Sequence, residues 1–301
     1  MRARLVVTSL LLASCAFFAC TSNDGNKVAP ADSGADAAPE VDGASTDASA
    51  DTASEAAAPG DVGGIFAISD SITVDGGPRA LHRAGAFFTH LTGADTTTTS
   101  KTIGPCLVEK IGSGSTPDET DLSAGTIHIT GGTKNVDLVP NAKKTYDAVT
   151  GTVALWSGGE TLTVAGEGKD VPAFTTSLVA PSKLTITAPA LPSPASNLSV
   201  ARSAPFSATW TGASSGVVVL YFDAATGANA FSATCTFKAS DGKAEVPAAA
   251  FAEFPAIDGT FNFYVKEAAI ASPPGWTIRF TVSSAIVGPD GASAIGSTTF
   301  K

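Results

Sequence analysis

Over the last third of the chain, apolar and polar residues alternate one by one. Phe206, Ala208 and Trp210 alternate with Ser207, Thr209 and Thr211, and Phe231, Ala233, Cys235 and Phe237 alternate with Ser232, Thr234, Thr236 and Lys238. Phe261, Phe263 and Val265 alternate with Asn262, Tyr264 and Lys266, and Trp276, Ile278, Phe280 and Val282 alternate with Thr277, Arg279, Thr281 and Ser283. A period of two belongs to β-strands that bury one face and wet the other. Val217–Phe222 is apolar on both sides and follows Gly212-Ala213-Ser214-Ser215-Gly216, which predicts a central strand entered through a hairpin. Pro247–Phe254, with Pro at the first helical position and alanines behind it, is the one helix candidate, short enough to be a single connector turn.

Weaker signals precede these. Thr126–Thr130 and Asn135–Val139 read as strands, Thr152–Trp156 and Thr161–Ala165 as a hairpin around Ser157-Gly158-Gly159-Glu160, and Phe174–Leu178 and Lys183–Ala188 as further strands among prolines. Pro189–Ser196 is the best boundary. The expectation is an all-β, antiparallel sandwich-type globular region of two packed β modules, 61–190 and 191–301. Trp156, Trp210 and Trp276 are assigned to its core.

The N-terminus follows another pattern. Arg2 and Arg4 precede an apolar run from Leu5 to Ala19, a secretory signal too short for a transmembrane helix, which needs about 20 residues. Leu12-Ala13-Ser14-Cys15 and Phe17-Phe18-Ala19-Cys20 both resemble the lipobox of bacterial lipoproteins, a resemblance that implies an acylated cysteine at the mature N-terminus. Cys20 is preferred, with Cys15 as the alternative. Cutting at Cys20 starts a polar tether at Thr21 and leaves an even cysteine pair, Cys106 and Cys235. From Thr21 to Gly60 there is no aromatic residue, and eight acids face Lys27 alone, a net charge of −7. Such a segment cannot offset the entropy of ordering itself and is expected to be disordered. The division is thus 1–19 signal peptide, 20–60 acidic tether, 61–190 first β module and 191–301 second. The chain is expected to be exported and lipid-anchored to the bacterial cell envelope, at the outer membrane or cell surface.

From Asn197 onward the chain resembles immunoglobulin-like and fibronectin type III-like sandwiches. Asn197-Leu198-Ser199-Val200 fits a first strand, Trp210 falls late in the second and Tyr221 in the third, although Phe261 and Phe263 lack the hydroxyl of a tyrosine corner. The resemblance implies a fold and carries no function.

Candidate chemistry is sparse. Gly212-Ala213-Ser214-Ser215-Gly216 matches the G-x-S-x-G expression of serine hydrolases, but a strand rather than a helix is expected after it and no histidine follows in the chain. His82, His90 and His128 lack metal-ligand spacing and read as exposed. Asp118, Glu119 and Asp121, read as a loop, lack the spaced pattern of a calcium site. No catalytic residue, metal or cofactor is assigned. Lys143-Lys144 is the only adjacent basic pair, which excludes an electrostatic basis for nucleic-acid binding. Cys106 and Cys235 are expected to pair in an oxidising compartment, the alternative being two buried thiols. The functional expectation is a non-catalytic binding or scaffolding module. Its partners are the membrane, through the lipid, and an unidentified protein or carbohydrate. The alternative is an anchored glycosidase or esterase.

Overall fold

The computed structural model describes residues 61–74, 77–92, 98–112, 118–191 and 198–301; Cys15, Cys20, the signal and the tether lie outside them. The strands are β1 Asp61–Val74, β2 Gly77–Thr92, β3 Thr98–Ile103, β4 Cys106–Ile111, β5 Asp118–Asp121, β6 Ile127–Thr130, β7 Val136–Leu138, β8 Val149–Gly151, β9 Thr161–Gly166 and β10 Phe174–Val179. They continue as β11 Leu184–Ala188, β12 Leu198–Val200, β13 Phe206–Thr211, β14 Val217–Thr226, β15 Asn229–Lys238, β16 Lys243–Val246, β17 Asp258–Ala271, β18 Thr277–Val287 and β19 Ile295–Phe300. The helix candidate is a 3-10 turn, Ala248–Phe251. The fold is all-β.

A large sheet runs β3-β4-β15-β14-β17-β18-β1-β2, antiparallel throughout except that β1 lies parallel to β18. Two smaller layers cover one of its faces, the first continuous with it where β11 pairs parallel with β18. At one end, β11, β13 and β16 close a core in which Ile186, Phe206, Trp210 and Val246 meet Leu220, Phe222, Ala233 and Phe263. At the other, the four-stranded sheet β10-β9-β6-β7 closes a second core, setting Leu162, Val164 and Phe174 against Ile65, Phe88, Ile278 and Phe280. Strand β17 serves both: Phe261, Phe263 and Val265 enter the first core and Ala271, on the same side by the period of two, enters the second. Trp156, Trp210 and Trp276 are buried. Trp210 Nε1 donates to the Ala239 carbonyl at 2.8 Å, and Trp156 Nε1 to Ser284 Oγ at 3.1 Å.

Two local expectations are corrected. Strand β14 is central, between β15 and β17, but it is not entered through a hairpin: β13 pairs with β11 and β16, so residues 212–216 cross from one layer to the other. The expected hairpin at Thr152–Trp156 is absent. Strand β8 pairs instead with β2, and β9 with β6 and β10. Glu160 caps the intervening turn, its carboxylate accepting the N–H groups of Ser157 and Gly158 at 2.7 and 2.6 Å. Those N–H groups are thereby spent on the turn and cannot join a ladder.

Pairing between β1 and β2 depends on small residues set opposite large ones. Phe87 lies across Gly64, its partner in register, and Phe66 lies across Gly85; a Cβ on Gly64 would come within 2.4 Å of the Phe87 ring. Glycine is required there for close approach.

Both cores and the large sheet draw residues from either side of the 190/191 boundary. Cys106 of β4 and Cys235 of β15 are register partners joined by a disulfide, with a Cα–Cα distance of 3.9 Å and a sequence separation of 129. Because the bond closes so long a loop, replacing both cysteines with serine is expected to cost about 2–5 kcal/mol. Urea unfolding of the variant and the parent measures this; equal midpoints would show that the ladder alone holds β4.

Candidate functional site

Ser214 lies in an open depression of about 310 Å³, beside Ala180, Ser182 and Ala213. Its hydroxyl accepts the Ser182 N–H at 2.9 Å and donates to the Ser215 carbonyl at 3.1 Å, pinning the crossover from β13 to β14 against the segment before β11. Strand, turn and strand surround it, not the strand, turn and helix of a nucleophile elbow. Both hydroxyl functions serve the backbone.

The histidines are scattered. His128 stands on the wetter side of β6, as its alternation predicts, with Nδ1 2.8 Å from Asp137 and Nε2 3.5 Å from Glu167. The hydrogen-bonding Asp137 carboxylate is the chief cause of its raised pKa. His90 is exposed. His82 departs from the exposed reading. It is only 3 % exposed, its Nδ1 has no hydrogen-bond partner, and burial followed by the charge of Lys183 lowers its pKa. The reason is that β2 turns the His82 side inward together with Ala84, Ala86 and Phe88. Asp118–Asp121 is a strand paired with β2 rather than a loop, and an extended strand cannot fold its acids around one cation. Among the described residues no three His, Cys, Asp or Glu side chains gather where they could hold a metal ion.

The side chains that do converge lie on the other face of the large sheet, away from both cores. Register sets them in transverse rows. One row reads Glu109, Ser232, Asp223, Thr260 across β4, β15, β14 and β17. The next holds Leu107, Thr234, Tyr221 and Asn262, and the one after holds Thr236, Val219, Tyr264 and Ala285. A fourth reads Lys238, Val217, Lys266, Ser283, Ile68 and Arg83, from β15 to β2. The face is thus acidic along one row, aromatic in the middle and basic along another. Acidic and basic rows are six residues of β17 apart, about 20 Å along the strand.

These groups are partly desolvated and poorly neutralised. Burial raises the pKa of Glu109, against which the neighbouring Ser232 hydroxyl acts weakly; that hydroxyl is itself buried and outside hydrogen-bonding geometry. Burial raises Asp223 too, opposed by the hydroxyl hydrogen bond from Thr260. Burial pushes the Tyr264 phenol up to about 12 and raises that of Tyr221, where the Asp223 charge adds to the effect. Lys266 shifts the other way, lowered by burial and then by Arg279. No described residue forms a salt bridge with Glu109, Asp223 or Lys266 within 4 Å, the described ion pairs being those of His128 and Lys144.

A carboxyl whose folded pKa exceeds its unfolded value favours folding in its protonated form, so stability is lost as pH rises through the folded pKa. The double variant Glu109→Gln, Asp223→Asn is therefore expected to flatten the decline in unfolding free energy of dilute protein between pH 5 and pH 8. Urea titrations at both pH values measure it. An unchanged slope would mean that these carboxyls titrate alike folded and unfolded.

Sequence reasoning placed Asn262, Tyr264 and Lys266 on a wet face but did not find the site, because its charges come from strands far apart in the chain. No family model, curated protein or solved structure matches the chain.

Proposed function

We propose that the chain is an envelope lipoprotein, anchored through Cys20, whose globular part is a non-catalytic binding or scaffolding module that works through the polar face of the large sheet. The observation that carries this reading is the breadth of that face, with tyrosines at its centre and, on either side, charged rows whose Glu109, Asp223 and Lys266 form no ion pair with another described residue. Partly exposed aromatic groups flanked by charge are the composition of recognition surfaces. The lipobox resemblance and the acidic segment that follows support the anchor, since acyl chains hold the N-terminus and like charge extends a tether away from anionic headgroups. Pairing of β13 with β16 and of β14 with β17, with β11 beside β13, supports the immunoglobulin-like reading of the second module.

Two measurements test it. Palmitate labelling of the expressed protein is expected to survive Cys15→Ser and to vanish with Cys20→Ser; the reverse result moves the anchor, and no label in any form removes it. Residues 61–301 are expected to show no turnover on esterase and glycosidase substrates. Turnover lost in Ser214→Ala would establish a serine hydrolase. Turnover surviving that change but lost in Glu109→Gln would establish carboxylate chemistry, for which a separation of two strand spacings, roughly 10 Å, is wide.

A further inference from the structure

The chain passes from one smaller layer to the other at residues 180–183, between β10 and β11. Polar contacts hold this short segment to the rest of the molecule. The Pro181 carbonyl accepts Ser284 Oγ of β18 at 2.8 Å and Trp156 Nε1 at 3.3 Å, and the Ser182 N–H donates to Ser214 Oγ at 2.9 Å. Lys183 comes next, just before the Leu184–Ile286 pair that sets β11 on the edge of β18 where β1 has left off at Ser69–Ser284. His82 is the β2 register partner of Ser69, in a transverse row that reads Val265, Ser284, Ser69, His82 and Gly151. It therefore lies at the junction of the two layers, beside the segment that joins them.

His82 is only 3 % exposed, and its buried Nδ1 has no hydrogen-bond partner among the described residues. A neutral imidazole can be kept there, whereas an imidazolium would be a desolvated cation. From the 180–183 segment the charge that faces it is Lys183, of like sign. Strand β8 offers Val149, Thr150 and Gly151, and Asp147 ahead of it is exposed. In β1 Asp70 is the register partner of Leu81, not of His82. On β2 itself Arg83 lies over the Phe66 ring, on the other face. Glu267, beneath Gly216, is two residues and three strand spacings from His82, about 14 Å across the sheet. No described acid forms an ion pair with His82.

We propose that His82 is an acid-triggered latch at this junction: on taking a proton it is drawn toward water, releasing β8 and the 180–183 segment and loosening the depression beside Ser214. The closed form keeps its full stability above about pH 6.5 and loses it as pH falls, because the open form then binds a proton that the closed form refuses. Other shifted groups do not imitate this between pH 7.5 and pH 5. His128, Glu109 and Asp223, all raised, favour the folded form as pH falls, and Glu160, Glu167 and Asp170, all lowered, act from the ordinary carboxylate range downward. The latch lies on the opposite side of the large sheet from the proposed binding face, so the two readings fail separately.

The experiment is hydrogen–deuterium exchange of the full chain in detergent at pH 7.5 and pH 5, corrected for intrinsic exchange rates. In peptides spanning 149–156, 180–184 and 212–216 the opening equilibrium is expected to rise by up to about thirtyfold at pH 5, the limit for a histidine that protonates only when open. Peptide 231–237, inside the first core, is expected to change by less than about threefold, since it does not move with the latch. His82→Asn removes the rise and His128→Asn leaves it. Exchange that does not respond to pH overturns the proposal, as does a rise that persists in His82→Asn or one shared equally by 231–237. Should His82→Asn fail to fold, histidine-selective NMR reads the same group in the wild type, with His90→Asn and His128→Asn identifying the other two signals. A His82 imidazole that takes its proton in the folded protein at or above about pH 6.5 overturns the latch.

Discussion

A chain cut to residues 191–301 is expected to show no cooperative unfolding transition and no native near-ultraviolet signal. The cut removes β11, whose Leu184 and Ile186 close the first core beside Trp210, and β4, which covers the edge of β15 and carries the disulfide partner of Cys235. It also removes β1 and the β6, β7, β9 and β10 layer, and with them most of the second core that covers Ile278, Phe280 and Val282, all now at most 1 % exposed. Each such side chain stabilises the fold by roughly 1.5–3 kcal/mol through burial. Uncovering three of them, together with the loss of β11 and the disulfide, is comparable to the whole of the roughly 5–15 kcal/mol that a domain has to lose. A single sharp urea transition in 191–301, with the tryptophan environment of the whole protein, would show instead that the second module folds by itself.

Phe222→Ala is expected to cost about 3–5 kcal/mol, the range for truncating a large buried aromatic. Phe222 is completely buried on β14, the strand between β15 and β17, and its ring meets Phe206, Phe251 and Phe263 at centroid distances of 5.3, 5.0 and 5.4 Å, edge to face in each case. Those rings come from β13, the Ala248–Phe251 turn and β17, so collapse into the vacancy would have to move both layers at once. A cavity that cannot relax is the expensive kind. For a folded region of this size the melting temperature should fall by about 6–20 °C, and Phe222→Leu should fall less because it refills part of the volume. A loss under about 1 kcal/mol by urea unfolding would mean that the layers can close over the gap.

Strand character and facing were legible wherever alternation is clean: Phe206–Trp210, Phe231–Phe237, Phe261–Val265 and Thr277–Val282 are strands with the apolar residues inward. Alternation reports whether a side chain is buried, which each residue decides through its own chemistry, and the all-β class follows from that alone. Residues 61–121 gave no such pattern although they form β1 to β5, because Gly63, Gly64 and Gly85 take the positions opposite Phe88, Phe87 and Phe66, and a glycine leaves no mark in a hydrophobic repeat. His82 was misjudged for the same reason, its strand being unrecognised.

The chain's own order of residues therefore determined the class, the facing of the later strands, and the strand that follows Ser214 where a nucleophile elbow needs a helix. Only the tertiary structure decided which strand lies beside which. Nothing local to Asp61–Val74 announces that it runs parallel to Thr277–Val287, and nothing local to Cys106–Ile111 announces Asn229–Lys238. Neighbours of that kind are chosen by whichever arrangement closes two cores at once, a property of the whole packing. The candidate site depends entirely on that choice. Glu109, Asp223, Lys238 and Lys266 are ordinary wet-face residues on separate strands until register draws them into rows, and a shift of one residue in any pairing would turn that strand's row members to the other face of the sheet.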